Sequence, residues 1–242
     1  MNIFLGELIG TALLILLGNG AVANVYLNKS KGTGSGWVVV TAGWGFALTL
    51  ALYVAGWASA GHLNPAVTLG MAVAGKTAWN LVPLYFVSQL LGAFIGALLV
   101  WVTYYQQFAQ TSASHTKLIC FATSPVVRKP WWNFLTELIA TAALMIGILG
   151  VFDTHNGIGS GLGPYAVGIL LFAIGLCLGG PTGFAVNPAR DFGPRLIYAL
   201  FPIQGKGSAE WGYAWVPIVG PLVGGVLGAL IYHCLIYPLL PI

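Results

Sequence analysis

The chain has 242 residues, 58% of them hydrophobic and 6% charged, against roughly 25% charged for an average soluble domain. Nine basic and five acidic residues leave a net charge of +4, too few charges to cover a water-facing surface. They are too scattered through turns to form a stripe for nucleic acid. Cys120, Cys177 and Cys234 are odd in number, far apart and without metal spacing, so they read as small apolar fillers rather than a disulfide framework.

The first apolar run, about Phe4–Val25, ends in Ala21-Val22-Ala23, the small-residue pattern of a signal-peptidase site. A leader needs a basic start, and this run carries Glu7 and no Lys or Arg, so it reads as a retained span. A second run covers about Trp37–Trp57 and a third Leu84–Tyr104. After a long connection the fourth covers Trp132–Val151. The fifth runs from Tyr165 to Leu178, extending toward Gly180, and the sixth from Trp215 to Leu235. Most are near the ~20 residues that cross a ~30 Å hydrocarbon core. Trp37, Tyr104, Trp131, Trp132, Tyr165, Trp215 and Tyr237 stand at span ends, where amphipathic rings favour the headgroup layer.

Two further apolar pieces are shorter, Asn64 to about Ala74 and Asn187 to about Ala199. At about 1.5 Å per residue each covers only ~15 to 18 Å, half the core. Each opens on Asn-Pro-Ala: Asn64-Pro65-Ala66 and Asn187-Pro188-Ala189. Asn caps free N–H groups and Pro fits the first helical turn, so each tripeptide marks a helix start within the membrane. Gly70 to Thr77 matches a phosphate-loop pattern. It follows a membrane half-helix rather than a strand, with Pro83 close behind, and nucleotide binding is rejected.

The chain repeats itself. Phe4-Leu5-Gly6-Glu7-Leu8-Ile9-Gly10-Thr11-Ala12 returns as Phe134-Leu135-Thr136-Glu137-Leu138-Ile139-Ala140-Thr141-Ala142, and Gly92-x-x-x-Gly96-Ala97-Leu98 as Gly224-x-x-x-Gly228-Ala229-Leu230. The units are about 1–105 and 131–237, joined by a loop at 106–130, within one domain. Each holds three spans and one half-helix, and an odd number of spans turns the second copy upside down. The half-helices then dip in from opposite faces and their starts meet near the midplane. Glu7 and Glu137 would by default suggest a proton relay. Their repeated placement favours a structural role, accepting N–H bonds from the segments before the half-helices. His62 reads as a satisfied structural histidine rather than a switch, and the paired glycines as close helix packing.

His62-Leu63-Asn64-Pro65-Ala66-Val67-Thr68 and Gly183-Phe184-Ala185-Val186-Asn187-Pro188-Ala189-Arg190-Asp191 carry a resemblance over nearly the whole length. The chain resembles the major intrinsic protein family, the aquaporins and glycerol facilitators. The resemblance implies an all-α membrane protein with six transmembrane helices plus two re-entrant half-helices in an inverted repeat, one pore per subunit and a homotetramer. By residue-by-residue carry-over the filter is Trp44, Gly175, Phe184 and Arg190, with Asn64, Pro65, Ala66, Asn187, Pro188 and Ala189 at the pore centre. Asp191, where water-selective members carry a small residue, and Pro221-Leu222 point to the glycerol branch. Gly175, where those members typically place His, points the same way.

The function implied is passive passage of glycerol and similar uncharged solutes, with water, excluding protons and ions. Dihydroxyacetone, urea and protonated lactic acid are further candidates. A water-selective pore and a proton-coupled transporter are the alternatives. No cofactor is expected, and no nucleophile–base set suggests an enzyme. The family places both termini in the cytoplasm of a plasma-membrane protein, although the distribution of Lys and Arg alone argues the reverse. Lys117, Arg128, Lys129 and Lys206 then lie outside, as a basic surface that would concentrate an anion such as lactate.

Overall fold

The computed structural model describes residues 2–239, and among them every regular element is helical. In order these are α1 (Asn2–Tyr26), α2 (Trp37–Ser59), α3 (Pro65–Val73), α4 (Val82–Thr103), α5 (Tyr105–Gln110), α6 (Ser114–Ile119), α7 (Pro130–Val151), α8 (Gly163–Leu178), α9 (Pro188–Leu200) and α10 (Trp215–Ile231), with short 3₁₀ and π turns between and after them. Five are long and apolar enough to cross a membrane: α1, α2, α7 and, with their flanking turns, α4 and α10. The fifth expected span is shorter. At 16 residues, α8 covers about 24 Å of a core of about 30 Å. Pro164 sits in its first turn, and Gly179-Gly180-Pro181 stops it. Irregular chain, with a turn at its start, then leads to Asn187.

The two halves pack alike and exchange their half-helices. In the first, α1 lies against α2 and α4; in the second, α7 lies against α10 and α8. α3 packs on α10, and α9 packs on α4, so each half-helix rests on a span of the other half. The repeated glycines make the span pairs possible. A Cβ on Gly92 or Gly96 would stand 2.4 or 2.5 Å from the carbonyl oxygens of Leu8 and Ala12. On Gly224 and Gly228 it would stand 2.4 and 2.5 Å from those of Leu138 and Ala142. A backbone carbonyl cannot swing aside as a side chain can, so the helices would have to separate. Gly92→Leu and Gly224→Leu should each destabilise the protein by at least the ~1–3 kcal/mol of overpacking. Gly20→Ala, which adds a Cβ into open space within α1, should melt no lower than the wild type. Thermal unfolding in detergent checks both.

The connection between the halves is not the plain loop expected at 106–130. It holds α5 and α6 and then dives inward, burying Phe108, Leu118, Cys120, Phe121 and Ala122. Phe121 stacks on Phe108 at 5.3 Å and tilts against Tyr198 at 5.7 Å. The apolar payload of these rings outweighs the polar character of the flanking residues, so the segment folds onto the bundle. Burial pushes the Cys120 thiol up, in keeping with an inert filler.

Candidate functional site

The site begins at the two half-helix starts. Asn64 is extended (φ −159°) and its Oδ1 accepts the Ala66 N–H at 2.8 Å. Asn187 (φ −153°) accepts from Ala189 and Arg190 at 3.0 and 3.2 Å. These are N-caps with Pro in the first turn, as the tripeptides suggest. Each amide also crosses to the other half. Asn64 Nδ2 donates to the Val186 carbonyl at 2.7 Å, and Asn187 Nδ2 to the Leu63 carbonyl at 2.9 Å. An amide nitrogen carries two hydrogens. One of each is used in this way, and the second remains for a molecule in the adjoining cavity, which both asparagines line.

The chain before each half-helix is held in a conformation it would not adopt freely. Leu63, Phe184 and Val186 have φ of 53°, 40° and 43°, where side chains crowd the backbone, most severely for β-branched Val186. Such residues cost about 1–3 kcal/mol each and persist only when their surroundings fix them. Two buried carboxylates do the fixing. Glu7 Oε1 accepts the His62 N–H at 2.9 Å and the Ser59 hydroxyl at 2.7 Å; its Oε2 accepts the Leu63 N–H and the Gln89 amide, both at 2.7 Å. Glu137 accepts the Ala185 and Val186 N–H groups at 3.0 and 2.9 Å. The two segments so held line one wall of a cavity. His62 lines the cavity wall, stacked on Tyr85 at 4.4 Å with Nδ1 3.1 Å from the Thr68 hydroxyl.

Two cavities meet inside the bundle. The inner one, about 700 Å³ including its open end, is walled by apolar side chains such as Leu48, Leu144 and Leu171 opposite Gly61–Asn64 and Phe184–Asn187. The outer one, about 650 Å³ with its open end, is walled by α2, the Ala122–Val126 segment and Gly179–Gly183. Trp44, Phe184 and Arg190 line both and form the neck between them. The Arg190 guanidinium lies 4.3 Å over the Trp44 ring, a cation–π contact, and Nη1 donates to the Phe121 carbonyl at 3.2 Å. Phe184 meets Trp44 edge to face at 6.5 Å. The neck therefore has an aromatic wall and, in contact with its Trp44 face, a cationic one.

Gly175 lines neither cavity. A Cβ there would stand 2.8 and 2.9 Å from the Phe184 ring and 2.9 Å from Thr41. It stands behind Phe184, and its missing side chain is the space that ring occupies. Asp191 is also away from the cavities. It accepts the Thr123 N–H and hydroxyl at 2.8 and 2.7 Å and is gripped by Arg195 at 2.8 and 3.0 Å. Arg195 continues to the Thr123 and Ala209 carbonyls at 2.9 and 2.6 Å. This fully buried pair clamps the segment that presents the Phe121 carbonyl to Arg190.

Lys117, Arg128, Lys129 and Lys206 do not form the free basic surface expected of them. Lys117 is buried and its Nζ donates to the Gln204 carbonyl, with burial pushing its pKa down. Arg128 pairs with Glu210. Lys206 donates to the Ala199 and Phe201 carbonyls at 2.7 and 2.6 Å, where a cation complements the C-terminal end of α9. Three of the four cations are spent on structure. At the opposite mouth Phe152 lines the inner cavity. Beside it the His155 N–H, the Tyr232 hydroxyl and the His155 ring hold the Asp153 carboxyl down to about 2. Ser59, Gln89, Asn19 and Thr123 were missed from sequence. Gln89 and Asn19 left a signal, as lone amides inside apolar runs.

The family model for Major intrinsic protein matches residues 1–232. Glycerol uptake facilitator protein 3 of Lactiplantibacillus plantarum is 52% identical over 96% of this chain and 95% of its own length. The glycerol uptake facilitator protein of Bacillus subtilis is 46% identical over 96% of this chain and 84% of its own. The X-ray structure of the aquaglyceroporin from Plasmodium falciparum superposes with a TM-score of 0.89 at 34% identity, covering 98% of this chain and 97% of that one.

Proposed function

The chain belongs to the major intrinsic protein family, and on that premise we propose that its neck of Trp44, Phe184 and Arg190 selects glycerol and similar small uncharged solutes. The protein is a multi-pass membrane channel for passive passage, not an enzyme. The observation that carries the glycerol reading is the two-sided neck. A polyol has a carbon edge and a hydroxyl edge. Trp44 and Phe184 receive the first; the Arg190 N–H groups left over from Phe121 receive the second.

A solute entering a dry passage sheds water, and the wall must replace those hydrogen bonds or the barrier is prohibitive. The donors are Arg190 and the second amide hydrogens of Asn64 and Asn187. The acceptors are backbone carbonyls of Gly61–Leu63 and Gly183–Val186. Irregular backbone at membrane depth is tolerated where it lines such a cavity. The N-terminal ends of α3 and α9 add positive potential to that of Arg190, which opposes cations and protons. Gly175 acts at one remove, by letting Phe184 lie back. We place the protein in the plasma membrane with cytoplasmic termini, as a homotetramer of subunits built from oppositely oriented repeats at about 1–105 and 131–237. Dihydroxyacetone, urea and protonated lactic acid share the needed size and polarity.

Uptake by proteoliposomes tests the reading. Wild-type protein should pass glycerol and exclude sucrose and protons. Arg190→Ala should still conduct, with the glycerol preference reduced and a proton or cation leak added. An unchanged solute ranking without leak would remove Arg190 from the filter.

A further inference from the structure

Asn19 breaks the internal symmetry of the chain. Its counterpart 130 positions on, at the spacing of Glu7 to Glu137 and Thr11 to Thr141, is Leu149. Both are buried, Asn19 at 0% and Leu149 at 2% exposure. A fully buried amide within a spanning helix is costly wherever a leucine would serve, so its presence in one half alone asks for a reason specific to that half. The structure supplies one. Asn19 Nδ2 donates at 3.3 Å to the Phe121 carbonyl, the same oxygen that accepts from Arg190 Nη1 at 3.2 Å. That oxygen belongs to the connection between the halves, which has no equivalent in the repeat.

We infer that Asn19 is a positioning residue for selectivity: by holding the Phe121 carbonyl from the α1 side it sets where the Arg190 guanidinium points. The inference rests on the reading of Arg190 as the hydroxyl-binding side of the neck. A carbonyl oxygen has two acceptor sites, and Asn19 and Arg190 supply a donor to each. Asp191 fixes the same segment two residues on, through Thr123. With Asn19 in place the carbonyl cannot turn, Nη1 is committed to it, and the remaining guanidinium N–H groups face the solute in one geometry. Without it the carbonyl pivots and Arg190 follows. The flat donor face matched to a polyol is then lost, while small solutes such as water still pass.

The test uses purified full-length protein in liposomes, read as glycerol-to-water and glycerol-to-urea permeability ratios. Asn19→Leu, which installs the residue of the other half, should lower the glycerol-to-water ratio roughly two- to ten-fold, the range spanned by one net hydrogen bond. Asn19→Val, smaller and without a donor, should shift both ratios as well; it carries the test if the leucine variant fails to fold. In the Arg190→Ala background, Asn19→Leu should change the ratios no further, because nothing is left to orient. Wild-type ratios in a folded Asn19→Leu or Asn19→Val protein, or effects that simply add to those of Arg190→Ala, would overturn the inference. Wild-type ratios in Arg190→Ala itself would instead overturn the filter reading on which it rests.

Discussion

Glu137→Leu should leave little or no correctly folded channel. The Ala185 and Val186 N–H groups donate only to this carboxylate, at 3.0 and 2.9 Å, deep within the protein. A buried donor stripped of its acceptor costs about 1–3 kcal/mol, so the two together cost about 2–6 kcal/mol. That is a large part of the roughly 5–15 kcal/mol that holds an average domain together. The same two bonds hold Phe184 and Val186 at φ of 40° and 43°. Once released, both residues should relax to negative φ and withdraw the Phe184 ring from the neck. Glu137→Gln keeps one acceptor oxygen and turns an NH₂ toward the other N–H, so it should fall between wild type and leucine. Thermal unfolding in detergent together with glycerol uptake measures both losses. A leucine variant that melts within a degree or two of wild type would show that the segment is held by something else.

Gly175→His should cut glycerol permeability at least about ten-fold, equivalent to about 1.4 kcal/mol of added barrier, and water permeability by less. The new Cβ would sit 2.8 Å from Phe184 and 2.9 Å from Thr41. The Trp37 ring, 5.6 Å from Phe184 and nearly perpendicular to it, closes another direction of escape. The Phe184 ring then has the neck itself as its free space. Adding Phe184→Ala to Gly175→His should recover glycerol flux, because the displaced ring is gone. Equal losses for water and glycerol, with no recovery in the double variant, would mean that residue 175 acts on folding rather than on the neck.

These two positions also mark how far the sequence could be read. The spans and half-helices follow from local chemistry: apolar runs, aromatic ends, Asn-Pro starts and glycine spacing are all properties of neighbouring residues. Glu7 and Glu137 stood out because repetition is itself visible in a sequence. What could not be read was the identity of partners distant along the chain. Gln89 and Ser59 share the Glu7 carboxylate from 82 and 52 positions away, and Asn19 reaches Phe121 across 102. The connection was hardest of all. Its two short helices have six residues each, too few to show a period, and its polar composition hides Lys117, whose Nζ meets a backbone carbonyl. Gly175 illustrates a subtler limit. A missing side chain marks space in the sequence, but which neighbour fills that space is a matter of three-dimensional packing.

The crossed amides have a consequence for how the protein is made. Asn64 holds the Val186 carbonyl, and Asn187 holds that of Leu63. While the ribosome is still producing the second half, the first has α3 in place with neither its cap amide nor its Leu63 carbonyl matched, and α10, on which α3 rests, has not yet been synthesised. The nascent first half is thus an unfinished membrane insert rather than a self-sufficient one. Its re-entrant segment lacks two of its hydrogen-bond partners until the second half arrives. Maturation closes with a reciprocal exchange of two hydrogen bonds, made late and between the two halves of the chain. A chain interrupted before Val186 would leave that segment without either bond.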